Sequence, residues 1–114
     1  MIELAVPATV AVTADVPETH PSAQILGTER LGTGVVVDAA GLLLTVNYVV
    51  LGASSIEVTL FDDTSLEGRV VAQDFASGLA VVAVDAQGLS ALSLCPSTEL
   101  RVGQDIFIVA AAGE

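Results

Sequence analysis

Gly32-Thr33-Gly34-Val35-Val36-Val37-Asp38-Ala39-Ala40-Gly41-Leu42-Leu43-Leu44-Thr45-Val46-Asn47-Tyr48-Val49-Val50 is the stretch whose reading decides the fold. It reads as strand, tight turn, strand. Val35, Val36 and Val37 favour an extended backbone, because β-branched side chains are stiff at χ1 and fit a pleated surface. Asp38-Ala39-Ala40-Gly41 is a short connection ending in Gly, which supplies the positive φ that hairpins use. Leu42 to Asn47 then returns as the second strand.

On either side the same grammar repeats. Ala8 to Ala14 alternates small or polar residues with Val and reads as a first strand. Asp15 to Leu26 holds Pro17, His20, Pro21 and Ser22 and reads as a polar loop. Tyr48 to Ser54 has room for a single helical turn ending at Gly52. Ile56 to Leu60 alternates as a half-buried strand. Phe61 to Ser65 is a turn, Leu66 to Asp74 a strand centred on Val70 and Val71, and Phe75 to Gly78 another turn. Leu79 to Val84 is apolar throughout, as in a strand that closes a barrel. Six strands near 8–14, 30–37, 42–47, 56–60, 66–74 and 79–84, with no helix of useful length, predict an all-β, six-stranded antiparallel Greek-key barrel. Its interior is expected to hold Val36, Leu44, Val58, Val70 and Val81, filled solid as small barrels are.

The 114 residues suffice for one small domain. The division read here is a barrel at about 8–85, a linker over 86–104 rich in Gly, Ser, Thr and Pro, and a further strand at 105–111. Hydrophobic residues make up 53% and charged residues 15%, so the chain is no disordered tail. Its net charge of −11 rests on fourteen carboxylates against Arg30, Arg69 and Arg101. That balance excludes phosphate-backbone recognition, so no nucleic-acid partner is expected. It also opposes an anionic membrane surface, and no apolar run is long enough to span a bilayer. Nothing basic precedes an apolar run at the N-terminus, so no signal peptide is expected in this segment. Cys95 is the sole cysteine, which precludes an intrachain disulfide.

The central hairpin resembles the one that delivers the catalytic His in trypsin-like serine proteases of the HtrA/DegP group. There a Gly-Ser/Thr-Gly segment opens one strand and the next ends in Thr-x-Asn-His-Val-Val. Here the segment ends Thr45-Val46-Asn47-Tyr48-Val49-Val50, with Tyr48 in the place of the His. Asp74-Phe75-Ala76-Ser77-Gly78-Leu79-Ala80-Val81-Val82 is similar to the family's Asp-x-x-Ser/Thr-Asp-Leu-Ala-Val-Leu, and Gly78 takes the place of the Asp that orients the His. Gly78 lies 30 residues after Tyr48, a spacing that suits the family. Leu100-Arg101-Val102-Gly103-Gln104 resembles the segment that leads into the second barrel. The resemblance runs from Gly32 to about Val109. It implies a trypsin-like N-terminal barrel followed by the first strand of a second one, and a bacterial cell-envelope or extracytoplasmic location.

The departures bear directly on chemistry. The base of a Ser-His-Asp triad must take a proton near neutral pH, which imidazole does. An unperturbed Tyr titrates near pH ~10 and is a protonated phenol at neutrality. Gly78 has nothing with which to orient a base. No Gly-x-Ser-Gly-Gly stretch occurs in the 36 residues beyond Gly78. No catalytic residue is therefore assigned. The expectation is a pseudoprotease barrel acting as a binding or scaffolding module for a protein or peptide, with no cofactor and no metal. The alternative is a fragment of a serine endopeptidase whose nucleophile lies outside this segment.

Single residues support bland readings. Tyr48 reads either as a ligand-facing residue or as an amphipathic ring at the barrel mouth. His20 lacks a His or Cys partner and reads as a solvated loop residue. Cys95 has no flanking cation to activate it and reads as a small hydrophobe. Asp62-Asp63 reads as a solvated turn pair, and Ser77 and Ser97 as turn residues. Gly32-Thr33-Gly34 precedes a strand, so it is a close-packing device and no phosphate loop. The strand at 105–111 carries Ile106, Phe107, Ile108 and Val109. Leaving these in water forfeits about 1.5–3 kcal/mol per large side chain. Such a strand either folds back on its own barrel or pairs with a second copy, and a homodimer through 105–111 is the expectation.

Overall fold

Asp38 and Gly41 make the central turn. The Ala40 N–H donates to Asp38 Oδ1 at 2.9 Å, the Gly41 N–H donates to the Asp38 carbonyl at 3.0 Å, and Gly41 takes φ +114°. The turn joins β2 (Glu29–Asp38) to β3 (Leu42–Val46), in a computed structural model that describes residues 2–94, 96–106 and 108–111. Ahead of them lie a short helix α1 (Ile2–Ala8), β1 (Thr9–Asp15) and a helical turn α2 (Ala23–Leu26). After them come the helical turn α3 (Asn47–Val50), then β4 (Ser55–Thr59), β5 (Ser65–Asp74) and β6 (Leu79–Val84).

The six strands close in the order β1-β2-β3-β6-β5-β4, with every pairing antiparallel. The expected all-β, six-stranded barrel is the fold, with strand limits within a residue or two of those read from the sequence. The helix α1 was not anticipated. Its Leu, Glu and Ala favour helix, and Thr9 Oγ1 donates to the Ala5 carbonyl at 2.7 Å where helix gives way to strand.

The interior is lined by Val10, Val12, Val36, Leu43, Val58 and Val82, each at most 1% exposed. Val36 and Val58 stand where expected. Leu44 and Val81 do not: they face each other across β3–β6 on the outer surface, half-buried, while Leu43 and Val82 point inward. The runs Leu42–Leu44 and Leu79–Val84 are apolar on both parities, so only the ladder register sets their phase. Val70 is exposed as well, at 36%, beside the bulge between Val70 and Ala72.

Residues 105–111 do not form the expected strand in their described part. The barrel is closed, so no free edge remains to extend the ladder. The segment instead returns to its own barrel, where the Ala111 N–H donates to Thr33 Oγ1 at 3.1 Å. Ile106 and Ile108 stay exposed. On the way, the linker is tied to the hairpin by backbone bonds from Leu89 to Ala39 and from Leu92 to Val36. Cys95 and Phe107 lie outside the described residues.

Gly32 is the close-packing position. A Cβ there would lie 2.6 Å from Val49 Cγ2, so the missing side chain is what seats α3 in the barrel end. Gly32→Ala is expected to lower the unfolding free energy by about 1–3 kcal/mol. The loss should shrink in a Val49→Ala background, where the clashing methyl is gone. Denaturant unfolding of the four chains checks this, and strictly additive losses would show that the two positions do not meet.

Candidate functional site

The site grows out of the end of β3. Thr45 is buried and gives its hydroxyl to the Thr33 carbonyl at 2.9 Å, which fixes the strand at its last inward position. The chain then coils into α3. Asn47 and Val49 turn inward and are buried, while Tyr48 turns outward and is 53% exposed. The Asn47 N–H donates to the Gly78 carbonyl at 2.7 Å, and Asn47 Oδ1 accepts from Gln73 Nε2. Tyr48 and Gly78, 30 residues apart in sequence, are thus held at one end of the barrel through the backbone.

Gly78 has φ +79°, and a Cβ there would meet nothing within 4 Å. Space would admit an Asp. The backbone conformation disfavours one, because a left-handed φ costs a non-Gly residue about 1–2 kcal/mol. The turn before Gly78 is built on Asp74. Its carboxylate accepts the Ala76 N–H at 3.0 Å and the Ser77 hydroxyl at 3.0 Å, and the two bonds hold its pKa below the ordinary aspartate value. Ser77 is therefore a turn residue, occupied by Asp74. In the turn between β4 and β5, Asp62 is held low in the same way by the side chain and backbone of Thr64.

Arg30 clamps α3 from below, a role that sequence reading did not supply. It is buried on the inward face of β2, 4% exposed. Its Nη1 donates to the carbonyls of Tyr48 and Leu51, each at 2.8 Å. Its Nη2 donates to Ser22 Oγ at 2.8 Å, and Nε to the Gly27 carbonyl at 3.3 Å. A helical turn leaves its last carbonyls without partners, and a guanidinium fork satisfies two of them at once.

The network continues into His20. The Ser22 N–H lies 3.1 Å from His20 Nδ1, and an N–H can only donate, so Nδ1 is the acceptor. Ser22 Oγ, taken as an acceptor by Arg30, gives its own hydrogen to Nδ1 at 2.7 Å. The ring hydrogen is left on Nε2. The imidazole packs against Gly52, where a Cβ would come 2.6 Å from the ring. His20 is thus a half-buried brace under α3 and not the solvated loop residue expected. Among the described residues, no group of three or more His, Cys, Asp and Glu side chains is placed to hold a metal.

Around Tyr48 the same end of the barrel exposes apolar side chains. Val46 and Leu79 are ladder partners on the outer surface of β3–β6, 37% and 40% exposed, and Phe75 stands out of the β5–β6 turn. Among the described residues, no base, nucleophile or oxyanion donor is gathered here. The arrangement offers a phenol hydroxyl amid an apolar rim.

Comparison with known proteins places this geometry. The model of the trypsin-like peptidase domain matches residues 32–114. The chain belongs to the trypsin-like peptidase family. It is 39% identical over 81 residues to a probable periplasmic serine endoprotease DegP-like of Hahella chejuensis, covering 71% of this chain and 17% of that protein. It is 43% identical over 75 residues to the putative serine protease HhoA of Synechocystis sp., covering 63% of this chain and 19% of that protein. The solved structure of the HtrA-type protease AlgW with tripeptide superposes with a TM-score of 0.76 at 30% identity, covering 90% of this chain and 31% of that one. The chain therefore spans less than a fifth of the length of these curated relatives.

Two predictions follow from the brace and the turn. Arg30→Met keeps much of the aliphatic volume but leaves the Tyr48 and Leu51 carbonyls without a donor, at about 1–3 kcal/mol for each that stays dry. Ser22→Ala removes a single hydroxyl and should cost about 1 kcal/mol. Chemical unfolding ranks the two, and equal losses would place the clamp elsewhere. For Asp74, a lowered folded-state pKa means stabilisation that is present above the unfolded value and lost as pH falls through the folded one. The stability gap between the parent chain and Asp74→Ala should be full at neutral pH and narrow on acidification below about pH 4. Thermal unfolding from pH 7 to pH 3 measures it, and a gap independent of pH would contradict the assignment.

Proposed function

We propose that this barrel is non-catalytic and serves as a binding module within an HtrA-like protein, presenting the Tyr48 face to a protein or peptide. The reading rests on what stands at the two triad positions that the resemblance assigns, and on where the imidazole lies. At the position of the base stands a phenol, at the position of its orienting carboxylate a glycine in a left-handed conformation, and the chain's single imidazole is engaged beneath Gly52. Tyr48 with Val46, Leu79 and Phe75 combines apolar area with a hydrogen-bonding hydroxyl, a combination favoured at interfaces. The names of the DegP-like relatives place them in the periplasm, which supports an extracytoplasmic or cell-envelope location for this chain.

A second reading has its own support. The relatives are serine endoproteases, and this chain corresponds to under a fifth of their length. A nucleophile carried elsewhere would make the chain a fragment of a working endopeptidase. Association of two copies through 105–111 also stands as a proposal, resting now on the exposed Ile106 and Ile108.

The test uses the gene product that carries this barrel, incubated with casein and with a labelled serine-directed phosphonate. The expected result is neither turnover nor adduct, unchanged by Tyr48→Phe and unrestored by Tyr48→His with Gly78→Asp. Hydrolysis abolished by Tyr48→Phe would overturn the non-catalytic reading and establish the second one.

A further inference from the structure

A separate face of the barrel carries a groove of about 540 Å³ that the Tyr48 site does not use. Its floor is the outward side of β1, where Thr9, Ala11 and Thr13 are all small. Its flanks are taller. Leu31 on β2 and Phe61 beyond β4 rise to either side and are 48% and 62% exposed, and the returning residues 109–111 complete one wall. The volume falls within the range of ligand sites, about 300–1,000 Å³, and small floor residues between large exposed ones are what open it.

The charge of the groove is one-sided. Glu57 and Asp63 line it, and none of its described lining residues is cationic. The β4–β5 register places Glu67 directly opposite Glu57, so two carboxylates share one cross-strand pair. Like charges in that relation are destabilising. Arg30, the nearest arginine in the β1–β2 ladder, is buried and committed to carbonyl and hydroxyl oxygens.

We propose that this groove binds an extended segment of another protein in which aliphatic side chains alternate with lysine or arginine. The floor residues recur every second position along β1, at about 6.6–6.8 Å for two strand residues, which matches the side-chain repeat of an extended ligand. Aliphatic groups would settle over Ala11 between Leu31 and Phe61, and the cationic side chains, which leave the opposite face of the extended segment, would bend their long stems back over its edge to Glu57 and Asp63. Charge complementarity selects this occupant over a second copy of the chain, which brings three arginines against fourteen carboxylates. The proposal does not depend on the Tyr48 face or on whether the parent protein is catalytic.

The experiment titrates the ¹⁵N-labelled chain with the peptide acetyl-Leu-Lys-Val-Lys-Leu-amide, and with the same peptide carrying Glu for Lys. The Lys peptide is expected to move the amide resonances of Ala11, Thr13, Glu57 and Thr59, and to weaken as salt rises; the Glu peptide should move none. Glu57→Gln with Asp63→Asn should weaken binding about fivefold. Ala11→Leu, which fills the floor, should abolish it with the rest of the spectrum in place. Should that variant fail to fold, the two surface substitutions decide the matter. Shifts centred on Tyr48, shifts spread over every acidic surface, or an affinity indifferent to the Glu57 and Asp63 changes would each overturn the proposal.

Discussion

The approach of Val49 to Gly32 is the constraint from which the rest of this end of the barrel follows. A β-barrel of six strands needs its open end filled, and α3 does this by pushing Val49, fully buried, into the space that a side chain at Gly32 would occupy. Helical geometry then leaves no choice about the neighbours. With Val49 inward, Tyr48 faces out. Asn47, at the start of the turn, stands where its N–H reaches Gly78 and its side chain reaches Gln73. A contact between a glycine and a valine thus determines which residue the barrel presents at its mouth.

That plug would be poorly held by packing alone. A four-residue helical turn has hardly any internal hydrogen bonding, and its carbonyls face the low-dielectric barrel end. Arg30 answers both needs. It spends a buried charge on the Tyr48 and Leu51 carbonyls, and Ser22 and His20 carry the brace out to Gly52. Burying a cation is costly unless its nitrogens find acceptors, and all three of Arg30's do, through four bonds. In a chain with fourteen carboxylates, this cation is matched to carbonyl and hydroxyl oxygens.

Much of this was legible in the sequence, for identifiable reasons. Turn chemistry at Asp38–Gly41 and clean alternation in Ile56–Leu60 mark strands and their limits, because local residues alone decide them. The order of the hairpin, the Asp74–Val82 segment and Leu100–Gln104 carries the family resemblance. What stayed hidden was non-local. Leu44 and Val81 sit in runs apolar on both faces, so only the ladder could show that they point outward. The clamp joins Arg30 to groups 8, 18 and 21 residues away, and no local pattern marks such a partnership. His20 read as solvated because nothing near it in sequence announces Gly52. Residues 105–111 read as a strand from composition; in this chain alone the described ones run irregularly back to Thr33, because the closed barrel has no edge to which they could add.

The distribution of constraints explains why the barrel end accommodates an exposed Tyr at 48 and a Gly at 78. Tyr48 is exposed and Gly78 has open space where a side chain would stand, so neither contributes a side chain to the core. The residues that hold the architecture are their immediate neighbours: Asn47 and Val49 on either side of Tyr48, and Ala80 two positions beyond Gly78, all buried. The Asn47-to-Gly78 bond uses only backbone at Gly78 and survives any change of side chain there that the left-handed φ permits. The barrel thus separates what shapes the site from what acts in it. Side chains at the two positions can change while the scaffold, the plug and the clamp keep the same surface in the same place.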